Sequence, residues 1–223
     1  MDHAAFIRAN TRLLPVPLAP QIKLHLAEES LPIWRRTEEE LGELNVPPPY
    51  WAFAWAGGQA LARHLLDSGA MRGKSVLDLG AGSGIAAIAA MQAGAARVHA
   101  VDIDPFAIAA IGMNAAANGV QVGATAGDIL RAPPGRFDVV LAGDLFYERA
   151  LAERVLAFLE AAAAMGAEVQ VGDPRRGYFP QARFERVAEY AVPVTRELED
   201  AEIKRTAVWR LAAGLPNPAS GPI

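Results

Sequence analysis

The chain has 223 residues, 52% of them hydrophobic, which is enough to bury one sizeable core and too little for a second full domain beside the flanking segments. With 21 basic and 25 acidic residues the formal net charge is -4, so the charge balance does not favour nucleic acid as a partner. Cysteine is absent, which excludes disulfides and cysteine-ligated zinc, and the four histidines are scattered without ligand spacing, so no metal site is predicted.

The start of the chain predicts an N-terminal helical appendage, 1–50. Ile22, Leu26 and Trp34 are among its apolar positions, and the prolines at 47–49 stop any helix. Prolines also interrupt the apolar residues near the start, so a signal peptide is not expected, and no run reaches transmembrane length. We therefore expect no membrane partner and a cytoplasmic location.

A change of pattern after the appendage predicts the main domain, 51–213. Residues 51–68 carry apolar side chains at helical spacing. From Lys74 onward, short apolar runs alternate with longer helical stretches, as in parallel βαβ units. The predicted strands are 75–79, 97–101, 121–125, 137–142 and 168–172. The predicted helices among them are 85–94, 105–118 and 148–165.

The last part of the chain predicts a hairpin that closes the sheet. We predict a helix at 180–186 and then two strands, 187–194 and 204–211, joined by an acidic turn. The fold class is therefore α/β: a Rossmann-like, doubly wound, mostly parallel seven-stranded sheet with a closing antiparallel hairpin. The tail, 214–223, contains three prolines and two glycines and is predicted to be disordered.

The strongest local signal is the run VLDLGAGSG, an apolar strand that leads through three glycines into a helix. Gly80, Gly82 and Gly84 let the backbone turn tightly and approach a ligand at a helix N-terminus, although a purely structural turn would use them too. A dinucleotide fingerprint needs its third glycine one residue later, where this chain has Ile85. Asp78, just before the glycines, would repel a pyrophosphate and attract the ammonium group of a methionine moiety.

The next acidic residues fall where an adenosine would need them. Asp102 ends the second predicted strand, where a carboxylate can accept both ribose hydroxyls. Asp104 is followed by Pro105, so we interpret it as the N-cap of a helix. Asp128 follows the third predicted strand and could accept a hydrogen bond from the adenine amino group, or be an ordinary turn aspartate.

These motifs together carry a family resemblance. The ordered set DLGAGSG, VDID, GD and a fourth strand ending in GDLFY resembles class I S-adenosylmethionine-dependent methyltransferases, over roughly 51–171. Within that class, PYWAFAWAGGQALA, the segment from Asp144 to Tyr147, and GDPRRGYFP resemble the electron transfer flavoprotein beta-subunit lysine methyltransferases. The resemblance implies a methyltransferase domain, an enzyme that transfers a methyl group from S-adenosylmethionine to a protein lysine, and the flavoprotein beta subunit as partner and substrate.

The resemblance also implies a site. The cofactor pocket would contain Trp55, Asp78, Gly80, Gly82, Gly84, Asp102, Asp128 and Asp144. Trp51 would lie nearby at the substrate end, although either tryptophan could be simple core. The catalytic acceptor site would be Asp144, which orients the lysine ammonium, and Tyr147, which holds the lysine by cation–π contact. A helix N-cap and a packed aromatic are the alternative interpretations of these two residues.

Asp173, Arg175 and Arg176 follow the fifth predicted strand at the same edge of the sheet. We interpret them as contacts to the protein substrate, with a solvated loop as the alternative.

Several other functions keep the same fold. A methyltransferase acting on ribosomal or other proteins or on a small-molecule amine, or a non-catalytic S-adenosylmethionine-binding scaffold, would present a similar chain. Asp144 to Tyr147 lacks the two prolines of nucleic-acid adenine methyltransferases, and Asp78 and Ile85 disfavour an NAD-dependent oxidoreductase. The sequence leaves open the acceptor lysine, the number of methyl groups and the oligomeric state, with a monomer favoured.

Overall fold

The computed structural model describes residues 2–27, 48–196 and 201–212. Its helices are α1 (His3–Asn10), α2 (Ala56–Ser68), α3 (Ile85–Gln92), α4 (Pro105–Ala117) and α5 (Arg149–Ala164). Its strands are β1 (Arg12–Pro15), β2 (Lys23–Leu26), β3 (Ser75–Leu79), β4 (Arg97–Asp102), β5 (Gly123–Ala126), β6 (Val139–Gly143), β7 (Glu168–Asp173), β8 (Phe184–Pro193) and β9 (Ile203–Leu211). Short 3-10 turns lie at Tyr50–Ala52, Ile129–Arg131 and Gln181–Arg183.

Seven strands form one sheet in the order β5-β4-β3-β6-β7-β9-β8. The strands from β5 to β7 are parallel, whereas β9 runs antiparallel to both β7 and β8. The predicted Rossmann-like α/β class with a closing antiparallel hairpin is therefore confirmed. Leu79 pairs with Val101 on one side and with Ala142 on the other, so β3, β4 and β6 end at one edge. In doubly wound sheets, ligands bind at this carboxyl edge, where the strand order reverses.

The central strands are apolar because helices cover both faces of the sheet. On one face, α2, α3 and α4 form an apolar layer with side chains such as Leu61, Ile88 and Ile111. On the other face, α5 packs through Val155 and Leu159. Residues Ile85 to Ala90 of α3 are all buried, and their small side chains allow the helix to lie close to the sheet.

The N-terminal segment differs from its prediction. Among residues 2–27, which the structure describes, only α1 is helical, and 12–26 contains an antiparallel hairpin in which β1 pairs with β2. The helical interpretation is wrong here because prolines interrupt the segment and because Leu24 and Leu26 alternate with polar residues, which is the period of a strand. Ile22 and Leu26 pack into the same apolar layer as α2, and Trp34 lies outside the described residues.

Two asparagines one turn apart, Asn114 on α4 and Asn118 at its C-cap, form hydrogen bonds with the backbone of β2. Asn114 Oδ1 accepts the His25 N–H at 2.7 Å, while Asn118 accepts the Lys23 N–H at 2.9 Å and donates to the Lys23 carbonyl at 2.6 Å. Asn114 also donates to the carbonyl of Ser83 at 2.8 Å. One fully buried amide therefore joins the N-terminal hairpin to the glycine-rich loop.

The segment before the closing hairpin also differs from its prediction. The helix predicted at 180–186 is a 3-10 turn, and Phe184 already begins β8. The ten residues of β8 pair along β9 from Phe184 to Pro193, and this non-local pairing outweighs a local preference for helix. The tail at 214–223 and part of the acidic turn lie outside the described residues. The other predicted strands and helices are present, with ends shifted by a few residues.

Within the described ranges, every helix is too short or too polar to cross a bilayer. The same ranges contain no cluster of three or more His, Cys, Asp or Glu residues suited to a metal ion.

Candidate active site

A cavity of about 480 Å³ opens at the carboxyl edge of the sheet, between the ends of β3, β4 and β6. Its volume and its mostly apolar walls suit a ligand of cofactor size with a few polar contacts. The predicted site residues that line it are Trp51, Trp55, Gly80, Gly82, Asp102, Asp128, Asp144, Tyr147 and Arg176. The structure therefore brings together most of the predicted site from six separate places in the chain.

The glycine-rich loop forms the floor of the cavity. Gly80, Gly82 and Gly84 have φ values of 60°, 51° and 77°, in the left-handed region that favours glycine. A Cβ on Gly80 would lie 2.6 Å from Leu145 Cδ2, and one on Gly84 would lie 3.0 Å from Ile111 Cγ1. Gly84 is the N-cap of α3 and packs against Ile111, and its predicted contact with the cofactor stays a prediction.

Asp78 faces α3 and not the cavity. Its Oδ2 accepts the Ala87 N–H at 2.9 Å, and only 2% of the residue is exposed. Burial raises the pKa of this carboxyl to about 7, although the hydrogen bond from Ala87 opposes the shift. The predicted contact with the methionine ammonium group is corrected, because strand residues alternate in direction: Leu77 and Leu79 face the α5 layer, so Asp78 points to the opposite side.

Asp102 holds the glycine loop in place. Its Oδ2 accepts the Gly82 N–H at 2.8 Å, and its Oδ1 accepts the Asp104 N–H at 3.0 Å. A carboxylate accepts about four hydrogen bonds, so two ribose hydroxyls can still bind. Asp104 accepts the Phe106 N–H and is the N-cap of α4, as predicted.

Loss of the Asp102 carboxylate should weaken cofactor binding. We expect Asp102→Ala to reduce the affinity for S-adenosylhomocysteine by roughly 1.5 to 3 kcal/mol, because charge-assisted hydrogen bonds are lost. Asp102→Asn keeps one acceptor oxygen and should lose less. Isothermal titration calorimetry measures both, and wild-type affinity in Asp102→Ala would place the ribose contact on another residue.

Asp128 lies at the far end of the cavity, between two arginines. Arg154 Nη2 donates to both carboxylate oxygens at 2.8 and 2.7 Å, and Arg131 Nε donates at 3.0 Å. The hydrogen bond from Arg154 is the main reason why the pKa of Asp128 lies below its usual value. The Asp128 carboxylate is therefore ionised and oriented, and its contact with an adenine amino group stays a prediction.

Asp144 stands where β6 ends and is held by three donors. Its φ is 59°, which is unusual for a residue with a side chain. Oδ2 accepts the Gly58 N–H at 2.8 Å, and Oδ1 accepts Arg176 Nε at 3.0 Å and Nη2 at 2.6 Å. The predicted lysine-binding carboxylate is thus paired with a cation of the same chain.

The start of α2 is pressed against the ends of β6 and β7. A Cβ on Gly57 would lie 2.1 Å from the Gly172 carbonyl oxygen and 2.6 Å from Asp144 Oδ2. On the other side of this contact, a Cβ on Gly172 would clash with the carbonyl oxygen of Gly57. Glycine is therefore required on both sides of this contact, which sets the height of the Asp144 carboxylate.

Aromatic rings line the mouth of the cavity. Trp51 is buried and stacks on Phe106 at 6.1 Å, and its indole N–H has no hydrogen-bond partner among the described residues. Trp55 donates to the Tyr50 carbonyl at 2.9 Å. The rings of Tyr50 and Tyr147 lie 6.0 Å apart, and Tyr147 is half exposed. These rings form a surface suited to an alkyl chain or a cation.

Asp173 and Arg175 lie at a second cavity, of about 370 Å³, on the β8–β9 side. Asp173 is fully buried, with Oδ2 lacking a hydrogen-bond partner among the described residues, so its predicted direct contact with a protein substrate is corrected. Burial raises the pKa of Asp173 to about 7. Arg175 has a φ of 67°, and this turn directs it away from the main cavity while Arg176 faces that cavity.

The raised pKa of Asp173 predicts a pH-dependent stability. Between about pH 4 and pH 7 the folded state binds more protons here than the unfolded state, so the free energy of unfolding falls as pH rises and levels off above about pH 7. Asp173→Asn removes this contribution. The free energy of unfolding of the variant, relative to that of the wild type, should therefore be higher at about pH 8 than at about pH 5. Urea unfolding at both pH values measures the difference, and an equal difference at both would contradict the assignment.

Several residues of the site were missed from the sequence. Tyr50 and Arg154 line the cavity, Gly57 sets the helix contact, and Asn114 ties the glycine loop to β2. The pair of adjacent glycines, Gly57 and Gly58, at the start of a predicted helix was a usable signal, because glycine is unfavourable there without a packing reason. Arg154 lies in the middle of an ordinary amphipathic helix and gave no signal.

Comparison with known proteins identifies close relatives over most of the chain. The electron transfer flavoprotein beta subunit lysine methyltransferase of Rattus norvegicus is 37% identical, over 92% of this chain and 82% of that protein. The protein of the same description from Homo sapiens is 36% identical, over 92% of this chain and 80% of its own length. The family described as ribosomal protein L11 methyltransferase (PrmA) matches residues 59–165.

Solved structures agree on the fold. A Thermoplasma acidophilum protein superposes with a TM-score of 0.53 at 22% identity, over 69% of this chain and 83% of that one. Magnesium protoporphyrin IX methyltransferase from Synechocystis PCC 6803, solved with bound S-adenosylmethionine, gives 0.51 at 20% identity, over 70% and 78%. At these identities the likeness shows the fold alone.

Proposed function

The chain belongs to the electron transfer flavoprotein beta subunit lysine methyltransferase family, and from this we propose that its substrate is the beta subunit of the electron transfer flavoprotein. It is an enzyme that uses S-adenosylmethionine to methylate a protein lysine. The observation that carries the proposed substrate is the similarity over 92% of the chain, which includes the cavity mouth as well as the cofactor motifs.

The residues of the main cavity fit S-adenosylmethionine. When bound, this cofactor supplies a methyl group on a positively charged sulfur, which an uncharged amine takes by in-line displacement with the S–C electron pair left on sulfur. Asp102 offers carboxylate oxygens to hydroxyl groups, and the unpartnered indole N–H of Trp51 offers a donor. Carboxylates around the cavity favour a cationic nucleoside over a pyrophosphate.

The acceptor lysine would enter past the aromatic rings at the mouth. Tyr50, Trp55 and Tyr147 can enclose its alkyl chain, and Asp144 lies at the same end of the cavity. Catalysis then requires positioning and exclusion of water, and no residue of this chain needs to form a covalent bond.

Methylation of purified proteins tests the substrate. The enzyme is incubated with methyl-labelled S-adenosylmethionine and either the flavoprotein beta subunit or a ribosomal protein fraction from the same host, with Asp144→Ala as the inactive control. Label on a lysine of the beta subunit, located by mass spectrometry, supports the proposal. Label in the ribosomal fraction or in a small-molecule amine, with none in the beta subunit, contradicts it.

Three expectations from the sequence stay predictions: a cytoplasmic location, a monomeric state and the absence of a nucleic-acid partner. Fractionation of host cells tests the location, light scattering tests the state, and a gel-shift assay tests nucleic-acid binding.

A further inference from the structure

The carboxylate that we assign to the acceptor lysine already forms an ion pair with an arginine of this chain. Arg176 donates to Asp144 Oδ1 through Nε at 3.0 Å and Nη2 at 2.6 Å, and the two side chains are only 18% and 9% exposed. Its guanidinium carbon also lies 5.6 Å from the centre of the Trp55 ring. Arg176 therefore makes both kinds of contact, ionic and cation–π, that a lysine ammonium would make here.

The arginine is fixed by the backbone that carries it. The Arg176 N–H donates to Asp173 Oδ1 at 2.7 Å, and the Trp209 indole donates to the Asp173 carbonyl at 3.1 Å. The Gly58 N–H donates to the other carboxylate oxygen of Asp144. The ion pair is thus built into the ends of β6 and β7 and the start of α2, and it is not a loose surface contact.

The charge of this pair bears on the state of the acceptor. Only an uncharged amine has a free lone pair, so the lysine ammonium must lose a proton to solvent before the new N–C bond forms. An isolated carboxylate beside the amine would favour the ammonium form, whereas a carboxylate neutralised by a guanidinium would not. Among the described residues, the other ionisable groups around this end of the cavity include Tyr50, Asp102, Tyr147, Glu148 and Asp173. Two further arginines are engaged elsewhere, Arg149 over Tyr178 and Arg154 on Asp128.

We propose that Arg176 is a positioning residue that neutralises Asp144, so that the acceptor lysine passes its proton to solvent instead of being held as an ammonium ion. The proposal rests on protein-lysine methyl transfer as the function, and it does not depend on which protein carries the lysine. It assigns to Arg176 a role distinct from contact with the surface of the protein substrate.

Arg176→Gln should separate binding from turnover. At neutral pH the Asp144 carboxylate, no longer paired with the guanidinium, should bind Nα-acetyl-lysine methylamide several-fold more tightly in the complex with S-adenosylhomocysteine, as measured by NMR titration. Turnover of the flavoprotein beta subunit should fall about tenfold, and the acidic limb of kcat/KM should move up by about one pH unit. A merely structural role would not produce tighter binding together with slower turnover.

Two further variants test the sign of the effect. One should shift the binding and the pH profile in the opposite direction, and the other should leave the pH profile unchanged. Asp144→Asn removes an anionic partner of Arg176 and the negative charge beside the lysine, so the lysine analogue should bind less tightly and the acidic limb should move down. Arg176→Lys keeps the positive charge, so the acidic limb of its kcat/KM profile should stay near that of the wild type. Arg210→Gln, at the exposed Arg210–Glu185 pair on β9, is the matched control and should change nothing.

The outcomes are separable. If the wild type fails to methylate the beta subunit, the proposed substrate is wrong, and binding of the lysine analogue still decides the role of Arg176. Wild-type binding of the analogue by both Arg176→Gln and Asp144→Asn overturns the inference. A tenfold loss of S-adenosylhomocysteine affinity in a folded Arg176→Gln also overturns it, because Arg176 would then bind the carboxylate of the cofactor. If Arg176→Gln does not fold, the downward shift of the acidic limb expected of Asp144→Asn and the unchanged limb expected of Arg176→Lys decide the question.

Discussion

Asp144→Ala should lose methyl transfer by about 100-fold or more in kcat/KM, which corresponds to about 2.7 kcal/mol of transition-state stabilisation. The variant removes the carboxylate at the acceptor end of the cavity, and with it one anionic partner of the Arg176 guanidinium and the acceptor of the Gly58 N–H. The positive charge of Arg176, no longer paired with Asp144, would then repel both the incoming lysine and the positively charged sulfur. Transfer of labelled methyl groups to the beta subunit measures the loss.

The same variant should still bind the cofactor, because Asp102 and the glycine loop are untouched. We expect its affinity for S-adenosylhomocysteine to stay within about threefold of the wild type. Asp67→Ala, which removes an exposed ion pair with Arg63 on α2, is the control and should keep full activity. Full turnover in Asp144→Ala would remove Asp144 from the acceptor site.

Gly57→Ala should destabilise the protein by about 3 kcal/mol and abolish most activity. The added methyl group would lie 2.1 Å from the carbonyl oxygen of Gly172 and 2.6 Å from Asp144 Oδ2, so the start of α2 must move away from the sheet. That movement displaces Gly58 and, with it, one donor to Asp144. Urea unfolding measures the stability, and methyl transfer at a temperature where the variant stays folded measures the activity.

Gly112→Ala is the matched comparison. Gly112 lies in the middle of α4, and a Cβ there would meet nothing within 4 Å. Alanine should therefore stabilise the protein by about 0.5 to 1 kcal/mol through its higher helix propensity. If both variants were equally stable, the close contact at Gly57 would be relieved by a small shift that the proposed geometry does not allow.

Much of the fold follows from local pattern. The run from Val76 to Leu79 is buried on both faces, as a central parallel strand requires, and the alternation of such runs with helices determines the topology. The two failures occur where distant partners decide the local structure. Residues 12–26 form a hairpin against the asparagines of α4, and Phe184 begins a strand because β9 pairs with it.

The location of the site could also be predicted, because the carboxyl ends of parallel strands meet at one edge. The directions of the side chains could not. Asp78 turns towards α3, and Asp144 pairs with Arg176, which lies 32 positions along the chain. Composition and spacing place a charged residue at an edge of the sheet, but they do not say which neighbouring side chain forms an ion pair with it.

The double role of Asn114 has a thermodynamic consequence. One amide group closes both the His25 end of the N-terminal hairpin and the Ser83 end of the ligand loop, so ordering either partner lowers the cost of ordering the other. Linkage is reciprocal, so the coupling free energy is the same in both directions. A nucleoside that orders the loop must therefore also stabilise the amino terminus. We therefore expect cofactor binding to slow the exchange of the His25 amide with heavy water, which reports occupancy of the cavity without any acceptor protein.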